Sequence, residues 1–258
     1  MRPKPNRYMM DIMGTTHDNI TSKVMEFIES NHGYVTKLAV DNLIDRLIKE
    51  AGYEAAFKNV PGYDFASCIA INNEVVHGMP NDTIIRDGDY VTIDFGIQDE
   101  AGWIVDSAEA WCVGAHRDPP IVKAARKVLD AAFRACEPGN KVTAVGKACT
   151  AVDQPFYLLP AFHGHGILPR RLHASPLIPS VPVGKIPTHD WEHMVLQQNY
   201  RFQVGDVVCV EPILSAYDDD EFDIGEDGWT VRMHNPNNLA VHIEFCVMIT
   251  ENGPIILA

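Results

Sequence analysis

The sequence lacks any run of apolar residues as long as a membrane span, which needs about 20 such residues in a row. Its opening segment, residues 1–7 (MRPKPNR), leads into no hydrophobic stretch of the kind found in a secretory signal peptide. We therefore expect a cytoplasmic protein that has no membrane partner.

Closely spaced cysteines are also missing. The six cysteines are scattered singly, and no two of them form a C-x-x-C pair. Disulfide frameworks and zinc fingers depend on such spacings, so the pattern favours reduced thiols in the core of a cytosolic protein. The cysteines are Cys68, Cys112, Cys136, Cys149, Cys209 and Cys246.

Basic residues are few. The chain has 21 Lys and Arg against 35 Asp and Glu, which gives a net charge of −14. An acidic protein is poorly suited to a nucleic-acid surface, so we expect no DNA partner. The 258 residues are enough for one domain with a substantial core, and we expect residues 1–258 to form a single domain.

Helical periodicity appears in two pairs of segments. Residues 18–29 and 38–51 carry apolar side chains at helical spacing, ahead of strand-like runs within 66–113. Asp118 and two prolines predict the N-terminus of a third helix that runs towards Gly139. A fourth helix precedes strands near residues 162, 206 and 241. Two helices followed by strands, repeated twice, predict an α+β fold with two similar halves.

Two aspartates lie in neighbouring apolar runs. Asp94 and Asp106 flank a short polar stretch that contains Gly102, which predicts a β-hairpin. A register centred on residue 100 would place them opposite each other, with Cβ atoms roughly 5 Å apart. Two such charges among apolar neighbours need a cation between them. The alternative is a pair of solvated aspartates at a strand edge.

Three further residues are candidate metal ligands. His165 lies between two glycines that let the backbone approach a bound group, and Glu211 and Glu244 lie in strongly apolar runs. Each of them alone is as well explained by a hydrogen bond in the core. Together, four carboxylates and one imidazole suit divalent Mn, Fe, Co or Zn, and they are enough to hold two ions about 3.5–4 Å apart.

The order Asp, Asp, Gly-His-Gly, Glu-Pro, Glu resembles the metal site of the methionine aminopeptidase and prolidase superfamily. The stretch Ser67–Pro80 (SCIAINNEVVHGMP) and the stretch Asp227–Val231 (DGWTV) are similar to signatures of the type I methionine aminopeptidases. The resemblance extends from about residue 8 to the C-terminus. It implies a pita-bread fold, in which a pseudo-twofold antiparallel sheet is flanked by two helix pairs.

The resemblance also implies roles for the metal ligands. Asp94 would chelate one ion, Asp106 and Glu244 would bridge both, and His165 and Glu211 would complete the second. The cofactors would be two divalent ions (Co, Mn, Fe or Zn), and a water between them could attack a peptide carbonyl near neutral pH. Glu211 would also accept the proton of that water.

Other residues match the substrate-facing part of the family site. His77 and His173 would hydrogen-bond the peptide and the developing oxyanion. The implied reaction is removal of the initiator methionine from nascent polypeptides, with the ribosome surface as a further candidate partner and a monomer as the expected state. The implied pocket for the methionine side chain consists of Tyr63, Cys68, Leu172 and Trp229.

The sequence departs from the type I pattern in several places. Phe95 and Gly96 stand where Val-Thr is usual, and they are closer to type II enzymes and prolidases. His242 and Phe245 replace the usual Gln and His near Glu244. These changes leave a prolidase-like or broader aminopeptidase as the alternative enzyme. A pita-bread binding module without catalysis is the third alternative, although such modules usually lack some ligands.

Two segments lie outside the common pattern. Residues 1–15 are predicted to be an N-terminal extension, and residues 177–200 an inserted, proline-rich loop. The loop contains His189 and His193 at a helical spacing, but without a third ligand nearby we assign no zinc site there. Its apolar residues suggest that it folds over the entrance of the cleft. The alternative is a surface loop that has no part in catalysis.

Overall fold

The computed structural model describes residues 4–187 and 199–258. Over these ranges the chain forms four α-helices: α1 (Arg7–Asn31), α2 (Lys37–Glu50), α3 (Pro120–Ala135) and α4 (Thr143–Thr150). It also forms the strands β1 (Glu54–Ala55), β2 (Ser67–Ile71), β3 (Glu74–Val76), β4 (Tyr90–Gln98), β5 (Ile104–Cys112), β6 (Tyr157–Leu158), β7 (His163–Leu168), β8 (Arg171–Pro179), β9 (Val207–Val210), β10 (Ile213–Ser215), β11 (Phe222–Ile224), β12 (Val231–Met233), β13 (Ala240–His242), β14 (Phe245–Thr250) and β15 (Gly253–Ile256).

Two larger antiparallel sheets organise the two halves. The first contains β1, β4 and β2 in that order, with β5 paired to β4, and the second has the order β15-β14-β9-β7-β8. Smaller sheets, β13-β10-β6 and β11-β12-β3, lie beside them. A bridge between Ala108 and Glu244 connects β5 to the second half. The predicted α+β fold with two helix pairs and antiparallel sheets is confirmed.

Each helix pair is packed into its own hydrophobic core. Ile28 of α1 and Ile44 of α2 lie in one cluster with Ile93 and Phe95 of β4. Leu129 of α3 and the α4 residues lie in a second cluster with residues of β9 and β14. Because successive side chains of a strand point to opposite faces, the residues that alternate with the core residues are free to face a cavity between the halves.

Two helix boundaries differ from the sequence expectation. Helix α1 begins at Arg7, and its residues Met10 and Met13 are buried, so most of the predicted extension 1–15 belongs to the fold. In α3, Pro120 is the first helical residue and the cap is Pro119. Asp118 does not cap the helix but accepts a hydrogen bond from Arg126 at 2.9 Å. An ion pair with the next turns of the helix replaces the cap.

The described part of the predicted insertion packs on helix α4. Residues 177–179 complete β8, and Val181 and Ile186 are buried in a small cluster of their own. A Cβ placed on Gly146 of α4 would collide with the Val181 carbonyl, which shows how closely the two segments approach. The rest of the loop, including Trp191 and the histidines of the unassigned zinc motif, lies outside the described residues.

Across the described part of the chain, none of the helices combines the length and the apolar character that crossing a membrane requires.

Candidate active site

A cavity of about 280 Å³ lies between the two halves. All eleven site residues predicted from the sequence line it: Tyr63, Cys68, His77, Asp94, Asp106, His165, Leu172, His173, Glu211, Trp229 and Glu244. Four more lining residues were not predicted: Phe57, Val60, Val76 and His242. None of these fifteen is a lysine or arginine, so no permanently charged cation lining the cavity balances its four carboxylates.

The aspartate pair comes from an uninterrupted hairpin. Asp106 of β5 faces Gly96, and Asp94 of β4 faces Ala108. The expected register, which was centred on residue 100 and placed the two aspartates directly opposite each other, is therefore wrong. The observed pairing is centred on residue 101. Residues two apart on one strand share a face, so the aspartates are still diagonal neighbours. Gly96 faces Asp106 at close range, because a Cβ there would lie 3.0 Å from the Ala56 Cβ and 3.4 Å from Asp106 Oδ1.

Asp106 is buried and Asp94 is half-buried, and neither has all the partners that a carboxylate needs away from water. Asp106 is 3% exposed, and one oxygen of each aspartate has no hydrogen-bond partner. Burial raises the pKa of Asp94 well above its usual range, and the nearby Asp106 and Glu211 raise it further. Burial also raises the pKa of Asp106 to about 7. A carboxylate pair in this setting is suited to a bound cation.

His165 is held on β7 by close strand packing. A Cβ on Gly164 would collide with the Cys209 carbonyl of β9, and one on Gly166 with the Ser175 carbonyl of β8. The two glycines therefore serve the approach of neighbouring strands, and the expectation that they also let the backbone approach a bound group stays a prediction. Burial lowers the pKa of His165 to about 3, so the imidazole is neutral and free to bind a metal.

Glu211 and Glu244 lie where the second half changes sheets. Val210 pairs with Phe245 before this point, and Ile213 pairs with His242 after it. The register is the same on both sides, so Glu211 and Glu244 face each other across the interruption. Glu211 Oε1 lies 3.6 Å from His165 Nε2. Burial raises the pKa of both glutamates well above the usual range.

His242 is the main site residue that sequence reasoning missed. Its Nε2 lies 3.7 Å from Glu211 Oε2 and 3.7 Å from Glu244 Oε2. The side chain is 4% exposed and Nε2 has no hydrogen-bond partner. A signal was present in the sequence, because His242 and Glu244 alternate with the buried Val241 and Ile243 along one strand-like run.

Cys209 is a second residue that sequence reasoning did not place at the site. Its Sγ lies close to the ligand atoms of Asp106, His165 and Glu244. Burial raises the pKa of this thiol well above its usual range, and Sγ donates to the Asp106 carbonyl at 3.8 Å. A protonated thiol is a poor metal ligand, so Cys209 packs behind the carboxylates.

The two predicted substrate histidines line the cavity and are partly exposed to solvent. His77 has a φ of 56°, a left-handed conformation that a non-glycine residue rarely adopts and that is concentrated at functional sites. The ring of His173 lies 4.6 Å from that of His165 in an edge-to-face contact. Desolvation in the cavity lowers the pKa of both His77 and His173, so both rings are neutral at pH 7.

The apolar end of the cavity is built on Trp229 and Tyr63. Their rings are 5.0 Å apart and packed edge to face. Asp227 fixes the turn before Trp229 by accepting the backbone N–H of Trp229 at 2.9 Å. The Tyr63 hydroxyl donates to the Ser67 carbonyl at 2.7 Å, which holds the ring in place beside the cavity. Cys68, Leu172, Phe57, Val60 and Val76 complete the apolar wall.

The donor set fits divalent metal ions. Two overlapping groups, each with ligand atoms within 4.8 Å of one another, share Glu244: one is Asp106, His165, Cys209 and Glu244, and the other is Glu211, His242 and Glu244. Carboxylates and neutral imidazoles are the ligands that Mn, Fe, Co and Zn use in proteins. The unpartnered oxygens of Asp94, Asp106 and Glu244 would find their partner in such an ion.

Comparison with known proteins agrees with this chemistry. The model of metallopeptidase family M24 matches residues 9–251. A methionine aminopeptidase from Aquifex aeolicus is 36% identical over 214 residues, which cover 80% of this chain and 76% of the relative. The crystal structure of a methionine aminopeptidase from Thermotoga maritima superposes with a TM-score of 0.80 at 26% identity, covering 100% of this chain and 99% of the other.

Prolidases share the architecture at greater distance. The prolidase structure from Pyrococcus horikoshii matches with a TM-score of 0.70 and 18% identity, and the match covers 100% of this chain but 63% of that chain. Likeness at this identity shows the fold alone. The pita-bread fold expected from the sequence is thereby confirmed.

Proposed function

The chain belongs to metallopeptidase family M24, and we propose that it removes methionine from the N-terminus of peptides with a metal-activated water. One observation carries this proposal. Four carboxylates and a neutral His165 share one cavity of about 280 Å³ with an apolar wall built on Trp229 and Tyr63. The first group suits metal-assisted hydrolysis, and the second suits recognition of a single terminal side chain.

The ligands divide between the two halves of the fold. We assign Asp94 to one ion, Asp106 and Glu244 to both, and His165 and Glu211 to the other. Two divalent ions held there would supply Lewis acidity, which would lower the pKa of water and polarise the peptide carbonyl. The identity of the ions is open among Mn, Fe, Co and Zn, since all of them accept this donor set.

Glu211 is suited to moving the proton of the attacking water. Its two oxygens lie near two different histidines, at 3.6 Å from His165 Nε2 and 3.7 Å from His242 Nε2. Burial raises the pKa of this carboxyl well above its usual range, which makes it a better proton acceptor when ionised. We assign to it the transfer of that proton to the departing amine.

His77 and His173 are suited to holding the peptide. Both are neutral at pH 7 because desolvation lowers their pKa, and a neutral imidazole can donate one hydrogen bond and accept another. We assign to His173, which packs against His165, a hydrogen bond to the oxyanion that develops on the scissile carbonyl. His77 then binds the peptide backbone.

The apolar wall is suited to the methionine side chain. A thioether is flexible and makes favourable contacts with aromatic rings, and Trp229 and Tyr63 present such rings. Leu172 and Cys68 add apolar surface without a charge. A nascent polypeptide is the proposed substrate, the ribosome surface is a candidate partner, and the acting species is proposed to be a monomer in the cytoplasm.

The test is hydrolysis of Met-Ala-Ser with Mn, Fe or Co added, against Leu-Ala-Ser and Ala-Ala-Ser. We expect release of methionine from the first peptide, little release from the others, and loss of activity with a chelator. The matched variant is Trp229→Ala, which opens the pocket while leaving the carboxylates intact. Equal cleavage of all three peptides by the parent enzyme would contradict the assignment of methionine.

A prolidase-like activity is the second candidate. Gly96 favours it, because a glycine replaces the usual Thr beside Asp106 and a side chain there would meet Ala56 and Phe57. Ala-Pro and Met-Pro dipeptides test this alternative. Faster cleavage of these dipeptides than of Met-Ala-Ser would assign the chain to the prolidase branch of its fold.

A further inference from the structure

His242 lies in the metal site without a function in the mechanism above. Its Nε2 is buried and has no hydrogen-bond partner. At 3.7 Å, its separations from Glu211 Oε2 and Glu244 Oε2 are equal. Hydrogen bonds between nitrogen and oxygen span about 2.7–3.2 Å, so His242 contacts both carboxylates but bonds to neither.

These separations match those between ligands of one metal ion. Two ligand atoms that share a tetrahedral ion with bonds of about 2.1 Å lie about 3.4 Å apart. His165 Nε2 and Glu211 Oε1, which are assigned above to one ion, are separated by 3.6 Å. His242 therefore has the same relation to Oε2 of Glu211 as His165 has to Oε1.

The backbone explains why His242 points to this place. Ile213 pairs with His242, and the Thr92 hydroxyl donates to the His242 carbonyl at 3.4 Å, so the residue is fixed from two sides. His242 and Glu244 are two residues apart in extended backbone and share a face.

We propose that His242 is a metal ligand, which with Glu211 and Glu244 gives this chain a second imidazole at the ion assigned to His165. The inference rests on the proposed metal centre. His242 supplies an imidazole nitrogen that the Gln usual at this position would not supply. Nitrogen ligands favour Zn, Co and Fe over Mn.

Counting nitrogens tests the proposal directly. With one equivalent of Cu(II) as the probe, pulsed electron paramagnetic resonance should detect two imidazole nitrogens in the parent protein and one in His242→Gln. His165→Ala should retain one nitrogen, and the double variant should retain none. His173→Ala, a neighbouring cavity histidine without a ligand role, is the matched control and should retain two.

Affinity for Co(II), measured by isothermal titration, gives a second readout. His242→Ala and His242→Gln should both weaken binding about tenfold or more, because even groups that only support a ligand contribute 10–100-fold. Parent-like affinity in His242→Gln would show that a hydrogen bond suffices and would overturn the proposal. A single nitrogen in the parent protein would overturn it too, while a parent that binds no Cu(II) or Co(II) would instead refute the metal centre.

Discussion

The two halves of the molecule contribute their site residues in different ways. In the N-terminal half, Asp94 and Asp106 project from the regular ladder of β4 and β5. In the C-terminal half, His165 lies at a register shift between β7 and β8, and Glu211 and Glu244 lie where strands end. The first half positions its ligands through the regular alternation of side chains along two paired strands. The second half positions them at interruptions of its strands.

This difference has a physical reason. A regular ladder presents side chains about 7 Å apart along one face of a strand, which is too coarse to surround an ion from one sheet. Interruptions let neighbouring strands present side chains at other angles. Glu211 and Glu244 can approach His165 because the chain changes sheets at Pro212, which has no N–H to donate to a ladder.

The largest expected effect is on the regular half. Asp106→Ala removes a carboxylate proposed to serve both ions, and kcat should fall by about a thousandfold or more, since even supporting groups of a metal ligand are worth 10–100-fold. Titration with Mn or Co should show loss of tight binding. Glu109→Ala, on the same strand but paired with Arg126 at a partly exposed site, is the control. Two tightly held ions in Asp106→Ala would contradict the assignment.

The next largest effect concerns the irregular half. His173→Ala should lower kcat about 100-fold with little change in KM, because a bond to the oxyanion acts mainly in the transition state. Steady-state kinetics on Met-Ala-Ser would measure both constants. Arg171→Ala, which changes an exposed residue two positions earlier on β8, should leave them unchanged. An effect confined to KM would move His173 from catalysis to substrate binding.

The regular half could be predicted from sequence in most respects. Alternating apolar residues around Asp94 and Asp106 defined two strands, and only the centre of the turn was misplaced, because Asp99 and Trp103 close it with their own hydrogen bonds. Helix α1 was predicted too short. Its first turns carry Met10 and Met13, whose burial depends on contacts with distant parts of the chain.

The irregular half could be predicted only through motifs. His165, Glu211 and Glu244 stood out as polar residues in apolar surroundings, but no local pattern says that a strand breaks at Pro212 and continues in another sheet. His242 was passed over although its spacing from Glu244 was visible in the sequence, because Glu211 becomes its neighbour only through that break. The close approach that Gly164 permits is also a long-range contact, with β9.

A buried histidine allows the stability of the N-terminal half to be tested with acid. His17 of α1 stacks on Phe95 at 4.0 Å and bonds its carbonyl at 2.8 Å. Burial lowers the pKa of His17 to about 4, so the folded protein resists protonation where the unfolded chain accepts it. The contribution of neutral His17 to the free energy of unfolding is therefore fully present above about pH 6.5. It is lost as the pH drops towards 4, by up to about 3 kcal/mol.

His17→Gln removes the titrating group and keeps a hydrogen-bond donor for the Phe95 carbonyl. Urea unfolding at pH 7 and at pH 4.5 would give the free energy of unfolding for both proteins. The parent should lose more of it between the two pH values than the variant does, and the carboxylates of the cavity cancel in this comparison. Equal losses would show that His17 does not couple α1 to acid stability.

The smallest expected effect tests whether the irregular half depends on its glycines. Gly164→Ala would place a Cβ against the Cys209 carbonyl, so β7 and β9 must separate slightly, at a cost of about 1–3 kcal/mol in the free energy of unfolding. Gly184→Ala, at a described position with open space around it and no unusual backbone angle, is the matched control and should be neutral.

Since His165 follows Gly164 directly, the separation of β7 and β9 should also weaken binding of the ion assigned to His165 more than binding of the ion assigned to Asp94. Parent-like stability and metal affinity in Gly164→Ala would mean that strand packing does not set the position of His165, and the contrast between the halves would then rest on Glu211 and Glu244 alone.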